Sequence, residues 1–453
     1  MPRLGDDVYI LSLILFMAFL VVGYVFRNRM LEYIYDPFFQ VSILSFFSAF
    51  FVVPFLMLTK TSRYQVFEYS LDAQMKYLIF TSIFSFVFSL LAIFAAKSKW
   101  LINRGDVVFI VARMQPSEKN IHWLLLLVLA FPLMYPIYEI GSKILAMGYG
   151  IYLANRIIVA SGSGYLFAAL IFPVFISLML AVNYVVRRGL SFRTIVLCII
   201  GLIFSSMPLL LTGSRSLLVI GVLIFVLVLF ILSASRGIAR LKKMAIALIL
   251  MGLGLLVALT SLGVVRQSIM GATDLNEITM HVDDRSSSSL EVFGTNENLL
   301  WMFDNPDRVR YLFGASYASV LVGPYPRSLW ANKPTGAGPV LKNWIAPGSY
   351  DLGAGENISS YTTGFMSESF MNFGWFGVVI GPAILAMICL FFSHLIRKIR
   401  SEIGLVCWAV VSLRFLGFVN AEFYGVCIHI FVAVVFFALY AWFYQLISAR
   451  RVR

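Results

Sequence analysis

Apolar runs of about 20 residues recur along most of this chain, and they constrain its fold more than any other feature. A helix of that length, rising about 1.5 Å per residue, crosses a hydrocarbon core about 30 Å thick. The chain of 453 residues is 60% hydrophobic and only 13% charged, with a mean hydropathy of +0.89. Soluble domains carry about 25% charged residues. The composition therefore excludes a soluble globule and predicts an all-α polytopic membrane protein.

The runs predict about 11 transmembrane helices, with a range of about 10 to 12. Helices are expected because lipid cannot satisfy backbone polar groups. The predicted spans lie at 8–26, 38–59, 77–96, 121–140, 165–186, 194–211, 216–233, 244–264, 372–395, 403–421 and 423–446. They define a transmembrane bundle of about eight helices at 1–264, a polar segment at 265–371, and a bundle of about three helices with a tail at 372–453.

The connections between spans predict an orientation. Alternate connections hold 20 Lys and Arg on one side and 7 in the short segments of the other side. Because basic residues favour the cytoplasmic side, the rich set, with the tail Arg450-Arg451-Val452-Arg453, is predicted to be cytoplasmic. The segment 265–371 then forms one large loop on the opposite face. The same clusters account for the net charge of +13, so nucleic acid is not an expected partner.

The large loop combines cations with aromatic rings. Arg266 opens it, and the later run Gly323-Pro324-Tyr325-Pro326-Arg327-Ser328-Leu329-Trp330-Ala331-Asn332-Lys333-Pro334 contains three prolines that disfavour helix. Arg327 and Lys333 are therefore predicted on an extended loop. Tyr325 and Trp330 offer aromatic faces that suit a sugar ring or an apolar pocket. At the end of the loop, Glu368 and Asn372 lie four residues apart on one face of a helix entering the membrane.

Three further arginines are predicted near the same membrane face. Arg215 lies in the tight turn Thr212-Gly213-Ser214-Arg215-Ser216, and Arg156 lies in an amphipathic stretch, 145–164, expected along the membrane surface. Arg414 lies inside an apolar run, where a charge costs about 2.5–3.5 kcal/mol or more and normally faces a partner or a wet cavity. Structural alternatives are a headgroup contact for Arg156, snorkelling for Arg215 and a pairing of Arg414 with Glu422.

These residues together favour a phosphorylated ligand. Arginine presents a planar fork of donors that matches phosphate oxygens, so the cluster suits a phosphorylated or diphosphorylated lipid. The four cysteines lie in apolar runs without metal-ligand spacing, and the outer segments contain no convincing cage of carboxylates or histidines. No metal and no cofactor are expected.

The turn around Arg215, the stretch from Pro326 to Pro334 and the helix entry from Glu368 to Gly377, in this order around one large outer loop, resemble the Wzy family of oligosaccharide repeat-unit polymerases (O-antigen polymerases). The resemblance implies a GT-C-like, metal-independent glycosyltransferase in the bacterial inner membrane, with its active site facing the periplasm. The implied reaction transfers a glycan block from undecaprenyl diphosphate onto a lipid-linked repeat unit.

The resemblance also implies roles and partners. Arg215, Arg327 and Arg414 would bind the diphosphate, with Arg266 and Lys333 in support, while Glu368 would be either the general base or a counter-ion; His281 is an alternative base. The implied partners are undecaprenyl-diphosphate-linked oligosaccharide, membrane lipid and a Wzz-type chain-length regulator. An O-antigen ligase is the alternative enzyme. A flippase or transporter is disfavoured by the 107-residue outer segment.

Overall fold

The structure is a computed structural model that describes most of the chain. The described residues are 6–26, 32–33, 36–59, 69–113, 119–148, 171–189, 191–210, 224–229, 231–232, 294–322, 330, 334–350, 361–399 and 401–451. Every regular element in these ranges is a helix. This agrees with the predicted all-α class, since apolar segments that cannot hydrogen bond to lipid must satisfy their own backbone groups.

The longer helices are named here in chain order. They are α1 Asp6–Val25, α2 Pro37–Phe47, α3 Val53–Leu58, α4 Leu71–Lys97, α5 Arg104–Arg113, α6 Lys119–Met147, α7 Phe172–Arg188, α8 Phe192–Leu210, α9 Glu297–Asp304, α10 Ala315–Val322, α11 Ala337–Ile345, α12 Phe365–Phe373, α13 Gly377–Ile396, α14 Glu402–Leu416 and α15 Phe423–Arg451. A π-helical segment, Ser48–Val52, joins α2 to α3, and short 3-10 turns precede α13 and follow α14.

Six helical stretches in the described chain are long and apolar enough to cross a membrane. They are Asp7–Val25, Pro37–Leu58, Leu71–Lys97, Phe365–Ile396, Glu402–Val419 and Phe423–Ser448. Each matches a predicted span. The fourth begins seven residues before the predicted start at 372, because α12 carries polar residues that are buried against protein. The predicted spans at 121–140, 165–186 and 194–211 coincide largely with α6, α7 and α8. Most of 216–233 and all of 244–264 lie outside the described residues.

The chain divides into two compact units. Unit 1 comprises Met1–Arg104, Ser287–Arg397 and Arg414–Phe431, and unit 2 comprises Gly105–Ser286, Lys398–Leu413 and Val432–Arg453. Unit 1 therefore takes its residues from three separate parts of the sequence. Glu368, Asn372 and Arg414 all belong to it, so the site is built from sequence-distant segments.

In unit 1, α4 packs along α13 and against α9. An aromatic cluster joins α4, α9 and α12: the ring of Phe370 lies 5.5 Å from that of Phe80 and 4.7 Å from that of Phe303, centroid to centroid. Both pairs meet edge to face, an arrangement that aromatic rings favour. The cluster fixes α12, and thus Glu368, against the long helix α4.

The π-helical segment supports the same region from another side. Pro54 follows it and lacks the N–H that would bond the carbonyl four residues earlier, so regular α-helix is interrupted there. The Tyr77 hydroxyl donates to the carbonyl oxygen of Ala49 over 2.7 Å, and Asn296 Nδ2 donates to Ser48 Oγ over 3.0 Å. The segment thereby receives a polar residue from the turn that begins α9.

Unit 2 contains α6, α7 and α8, of which α7 packs on both neighbours. Two pairs of buried polar side chains lie within it: Asn183 Nδ2 donates to Glu402 Oε2 over 2.9 Å, and His122 Nδ1 lies 2.6 Å from the Tyr440 hydroxyl. Phe175 contacts the ring of Phe436 at a centroid distance of 5.4 Å. These contacts join the helices of unit 2, so these polar side chains have a structural role.

Candidate functional site

Glu368 lies on the first turn of α12 and is completely buried. Its Oε1 accepts a hydrogen bond from Ser316 Oγ over 2.6 Å, and its Oε2 accepts one from the backbone N–H of Phe423 over 2.7 Å. Both distances are typical of bonds to an ionised acceptor or of short hydroxyl bonds. The side chain thus connects three segments: α12, the outer helix α10 and the start of α15.

Asn372 extends this network by one helical turn. Its Nδ2 donates to Ser316 Oγ over 2.7 Å and to the carbonyl oxygen of Glu368 over 2.8 Å. Its Oδ1 is buried and has no hydrogen-bond partner among the residues the structure describes. The expectation that Glu368 and Asn372 share one helix face is confirmed, and Ser316 bridges their side chains.

A second group of buried polar side chains lies at the start of α9 and directly before it. Its members are Thr295, Asn296, Glu297 and Asn298, each at most 1% exposed. Thr295 Oγ1 donates to the Val419 carbonyl over 3.1 Å, and Asn298 Nδ2 donates to the Thr363 carbonyl over 2.8 Å. The Tyr69 hydroxyl donates to Glu297 Oε1 over 3.0 Å. These hydrogen bonds hold two segments next to α9: the residues that precede α12 and the turn that follows α14.

Gly364, which directly precedes α12, is required by this packing. Its φ is +72°, a conformation that residues with a Cβ rarely adopt. A Cβ there would lie 2.6 Å from Thr295 Oγ1 and 2.8 Å from the Val419 carbonyl oxygen. The backbone before α12 can therefore approach α9 and the end of α14 only because residue 364 has no side chain.

Glu422 lies between α14 and α15, directly before the Phe423 that donates to Glu368. Its Oε2 accepts a hydrogen bond from the backbone N–H of Gly338 over 2.9 Å, in the first turn of α11. Such a position suits a carboxylate because the first N–H groups of a helix lack partners within the helix. Burial raises the pKa of Glu422 above its usual value, and the bond from Gly338 opposes this shift.

Gly336 leaves room for this contact. A Cβ at residue 336 would lie 2.6 Å from Glu422 Oε2 and 3.0 Å from its Cδ, closer than real side-chain atoms approach. The chain entering α11 therefore passes directly over the Glu422 carboxylate. As a result, two consecutive residues at the start of α15 hold two other helices: the Glu422 carboxylate holds α11, and the Phe423 N–H holds α12.

Arg414 lies in the last turn of α14 and is half-buried. It forms no salt bridge and no hydrogen bond with any residue of the described chain. The structural alternative considered for it, a pairing with Glu422, is therefore not formed; Glu422 faces Gly338 instead. A guanidinium held in this way in an apolar helix is available to bind an anion.

The other predicted site residues divide into two groups. Trp330 is described and is 46% exposed, and its role in binding a ligand stays a prediction. Arg156, Arg215, Arg266, His281, Tyr325, Arg327 and Lys333 lie outside the described residues. Among the described ranges there is no group of three or more His, Cys, Asp or Glu side chains that could hold a metal ion.

Sequence reasoning missed Ser316, the group Thr295 to Asn298 and the anchoring contact of Glu422. The run Thr295-Asn296-Glu297-Asn298 before the apolar Leu299 resembles an ordinary helix start, which conceals its burial. A stronger signal was available for Glu422, because it is an acidic residue in a very short turn between two apolar runs. Nothing local distinguishes Ser316 from the serines around it.

These observations define a class: a helical, multi-pass membrane protein in which two carboxylates fasten the short helices α10 and α11 to helices that could span a membrane. A family model, O-antigen polysaccharide polymerase Wzy, matches residues 6–451. The chain belongs to the Wzy family of O-antigen polysaccharide polymerases, and this membership supports polymerisation of lipid-linked oligosaccharide repeat units as its general activity. No curated protein and no solved structure matches the chain.

Proposed function

We propose that this polymerase elongates its glycan at the periplasmic face of the bacterial inner membrane. A glycan carried on undecaprenyl diphosphate is transferred as a block to the non-reducing-end sugar of a lipid-linked repeat unit, and undecaprenyl diphosphate leaves. The observation that carries this proposal is Arg414: its guanidinium has no partner in the described chain. It also lies at the end of α14, which leads through a short turn to Glu422 and Phe423.

The leaving group explains the need for arginine. As the glycosidic bond breaks, negative charge develops on the diphosphate, and a fixed cation stabilises that charge most in a site with little water. Removing one such group from comparable oxyanion sites costs about 2.7–4 kcal/mol. We assign this role to Arg414, Arg215 and Arg327, with Arg266, Lys333 and Arg156 as further contacts to the diphosphate or glycan.

The remaining side chains position the glycan and the loop. Tyr325 and Trp330 would stack on sugar rings, as aromatic residues do in ligand sites. For Glu368 we favour an organising role over a base role, because the side chain is fully buried and each of its oxygens already accepts a hydrogen bond. Asn372 keeps Ser316 oriented toward this carboxylate.

The test is polymerisation by the purified protein in lipid nanodiscs supplied with lipid-linked repeat units alone. A ladder of products on undecaprenyl diphosphate is expected, and it should persist in excess EDTA because the proposed mechanism uses no metal. Transfer only to a different acceptor would instead support the ligase alternative. Activity that returned only with added magnesium or manganese would contradict metal independence.

A Wzz-type regulator added to the nanodiscs should change the length distribution of the glycan products without being needed for elongation.

The proposed orientation is tested separately. Single cysteines at Ser287 and Ser235 lie in connections predicted on opposite faces, on the basis of the uneven Lys and Arg distribution. In intact spheroplasts, a membrane-impermeant thiol reagent should label Ser287→Cys and leave Ser235→Cys unlabelled. Equal labelling of the two variants would contradict the orientation.

A further inference from the structure

We propose that Glu422 is the general base of the transfer, the group that takes the proton from the acceptor hydroxyl. This inference rests on the proposed function and goes beyond it. It follows from the two oxygens of the carboxylate, which have different environments. Oε2 is held by the Gly338 N–H, whereas Oε1 has no hydrogen-bond partner in the described chain, and the residue is only partly buried.

This geometry is what a base requires. One oxygen is fixed by a backbone donor in the first turn of a nine-residue helix, so the orientation of the carboxylate is set before substrate arrives. The other oxygen can face an acceptor hydroxyl. Gly336 adds to the orientation, since a Cβ at residue 336 would lie 2.6 Å from Oε2 and would displace the carboxylate from its present position.

Glu368, the other candidate for the general base, lacks these properties. Glu368 is fully buried, and Ser316 and Phe423 occupy its two oxygens. Because the side chain is completely buried, neither of its oxygens is exposed to an acceptor hydroxyl. The hydrogen bond between Phe423 and Glu368 instead fixes the backbone next to Glu422. Glu368 therefore positions the connection on which the proposed base is carried.

The raised pKa of Glu422 is consistent with this role, because a base works best when its pKa lies closer to the working pH than that of an ordinary glutamate. Arg414 lies at the end of α14, the helix that leads into this connection, and would face the other end of the reaction. Its partnerless guanidinium suits the diphosphate, while Glu422 suits the attacking hydroxyl.

The proposed step balances as follows. Oε1 of Glu422 takes the proton of the acceptor hydroxyl while that oxygen forms a bond to the anomeric carbon of the donor glycan. The bond between the anomeric carbon and the diphosphate oxygen breaks, and undecaprenyl diphosphate leaves with the electron pair. The carboxylic acid of Glu422 then releases its proton to water, and the site is restored.

The decisive variant is Glu422→Gln in the full-length protein. Glutamine has the same shape, and its carbonyl oxygen can still accept the hydrogen bond from Gly338, but it cannot take a proton. We expect kcat for polymerisation to fall about 10²–10⁴-fold, with KM for the lipid-linked repeat unit and the thermal transition unchanged. Asp307→Asn is the matched control, because it removes an exposed outer carboxylate and should keep wild-type kcat.

A second pair of variants tests the orientation of the carboxylate. Gly336→Ala places a methyl group against both carboxylate oxygens and should lower kcat at least 10-fold. Gly425→Ala is the control, because its Cβ would meet Glu422 Cγ at 3.6 Å, an ordinary contact, and activity should be retained.

The outcomes separate cleanly. If wild-type protein polymerises and Glu422→Gln does so with wild-type kcat, the side chain only anchors α11 and the base assignment is overturned. If wild-type protein itself makes no polymer from lipid-linked repeat units, the proposed function fails, and this inference fails with it. A large loss of kcat in Glu422→Gln beside an active Asp307→Asn variant supports the base.

Discussion

The backbone N–H of Phe423 donates a hydrogen bond to Glu368 Oε2 over 2.7 Å, although the two residues are 55 positions apart in the sequence. One belongs to the start of α15 and the other to α12, so the bond fastens the connection between α14 and α15 to α12, near the end of the segment predicted as a large loop. Because Glu368 is fully buried, its carboxylate cannot turn to water if this donor is lost.

Ser316→Ala should destabilise unit 1. The substitution removes the hydroxyl that donates to Glu368 Oε1 and accepts from Asn372, leaving a buried carboxylate with one donor fewer. Buried groups deprived of a partner typically cost about 1–3 kcal/mol, more when charged. The measurement is the thermal transition in detergent. Ser89→Ala is the control, since the Ser89 hydroxyl makes only an exposed local bond; equal transitions for both variants would show that the network adds no stability.

Arg414→Lys should abolish the polysaccharide ladder while the protein is made and inserted normally. Lysine keeps the positive charge but lacks the planar fork that binds two phosphate oxygens together. Cells carrying the variant should accumulate single repeat units on a glycan gel, and the same is expected for Arg327→Lys and Arg215→Lys. Arg308→Lys, at an exposed position of the outer segment, should keep the ladder. A full ladder from all three test variants would remove these arginines from diphosphate binding.

Asp36, which lies just before the span Pro37–Leu58, should make stability depend on pH. Burial raises its pKa from 3.8 to about 6, although bonds from the Ile102 N–H, the Ser393 hydroxyl and the Phe38 N–H oppose the shift. In the unfolded chain the pKa is about 3.9. The stabilisation of the folded state that the protonated Asp36 carboxyl provides is therefore fully present below about pH 4, and it is lost as pH rises through about 6.

The measurement for this prediction is the thermal transition of the protein in detergent between about pH 4 and pH 7. Wild-type protein should lose stability across this window relative to Asp36→Asn, whose side chain does not titrate. Asp72→Asn serves as the control: Asp72 is exposed, pairs with Lys76 one turn away, and its replacement should leave the pH dependence unchanged. Parallel curves for wild type and Asp36→Asn would refute the role of Asp36.

Gly364→Ala should prevent correct packing of α12. Its backbone conformation is unfavourable for alanine, and the added methyl would collide with Thr295 Oγ1 and with a backbone carbonyl that cannot move aside. We expect reduced yield of folded protein and loss of polymer. Gly201→Ala adds the same methyl on α8, where nothing lies within 4 Å, and should be tolerated. Normal folding of Gly364→Ala would mean that the approach of α12 to α9 is not required.

Much of the fold could be predicted from local sequence. Spans were found because a lipid environment demands continuous apolar runs, and the predicted limits 38–59 and 403–421 agree with the observed Pro37–Leu58 and Glu402–Val419 to within a few residues. The placement of Glu368 and Asn372 on one helix face was also predicted correctly, since helical periodicity places residues four apart on one face. Both inferences need only neighbours in the chain.

The site itself was decided by tertiary structure. The sequence marked Glu368 and Arg414 as unusual. It could not show that Ser316 and the Phe423 N–H donate hydrogen bonds to Glu368. Nor could it show that Glu422 contacts Gly338, 84 residues away, and not Arg414. The start of α12 inside an apolar span was missed for the same reason: its polar residues are paired with protein and not exposed to lipid. Local sequence determines which segments enter the membrane, because lipid acts on each segment alone. Which carboxylate is buried and which oxygen stays open depends on how distant helices pack, since each buried polar group must find its partner wherever the fold brings one.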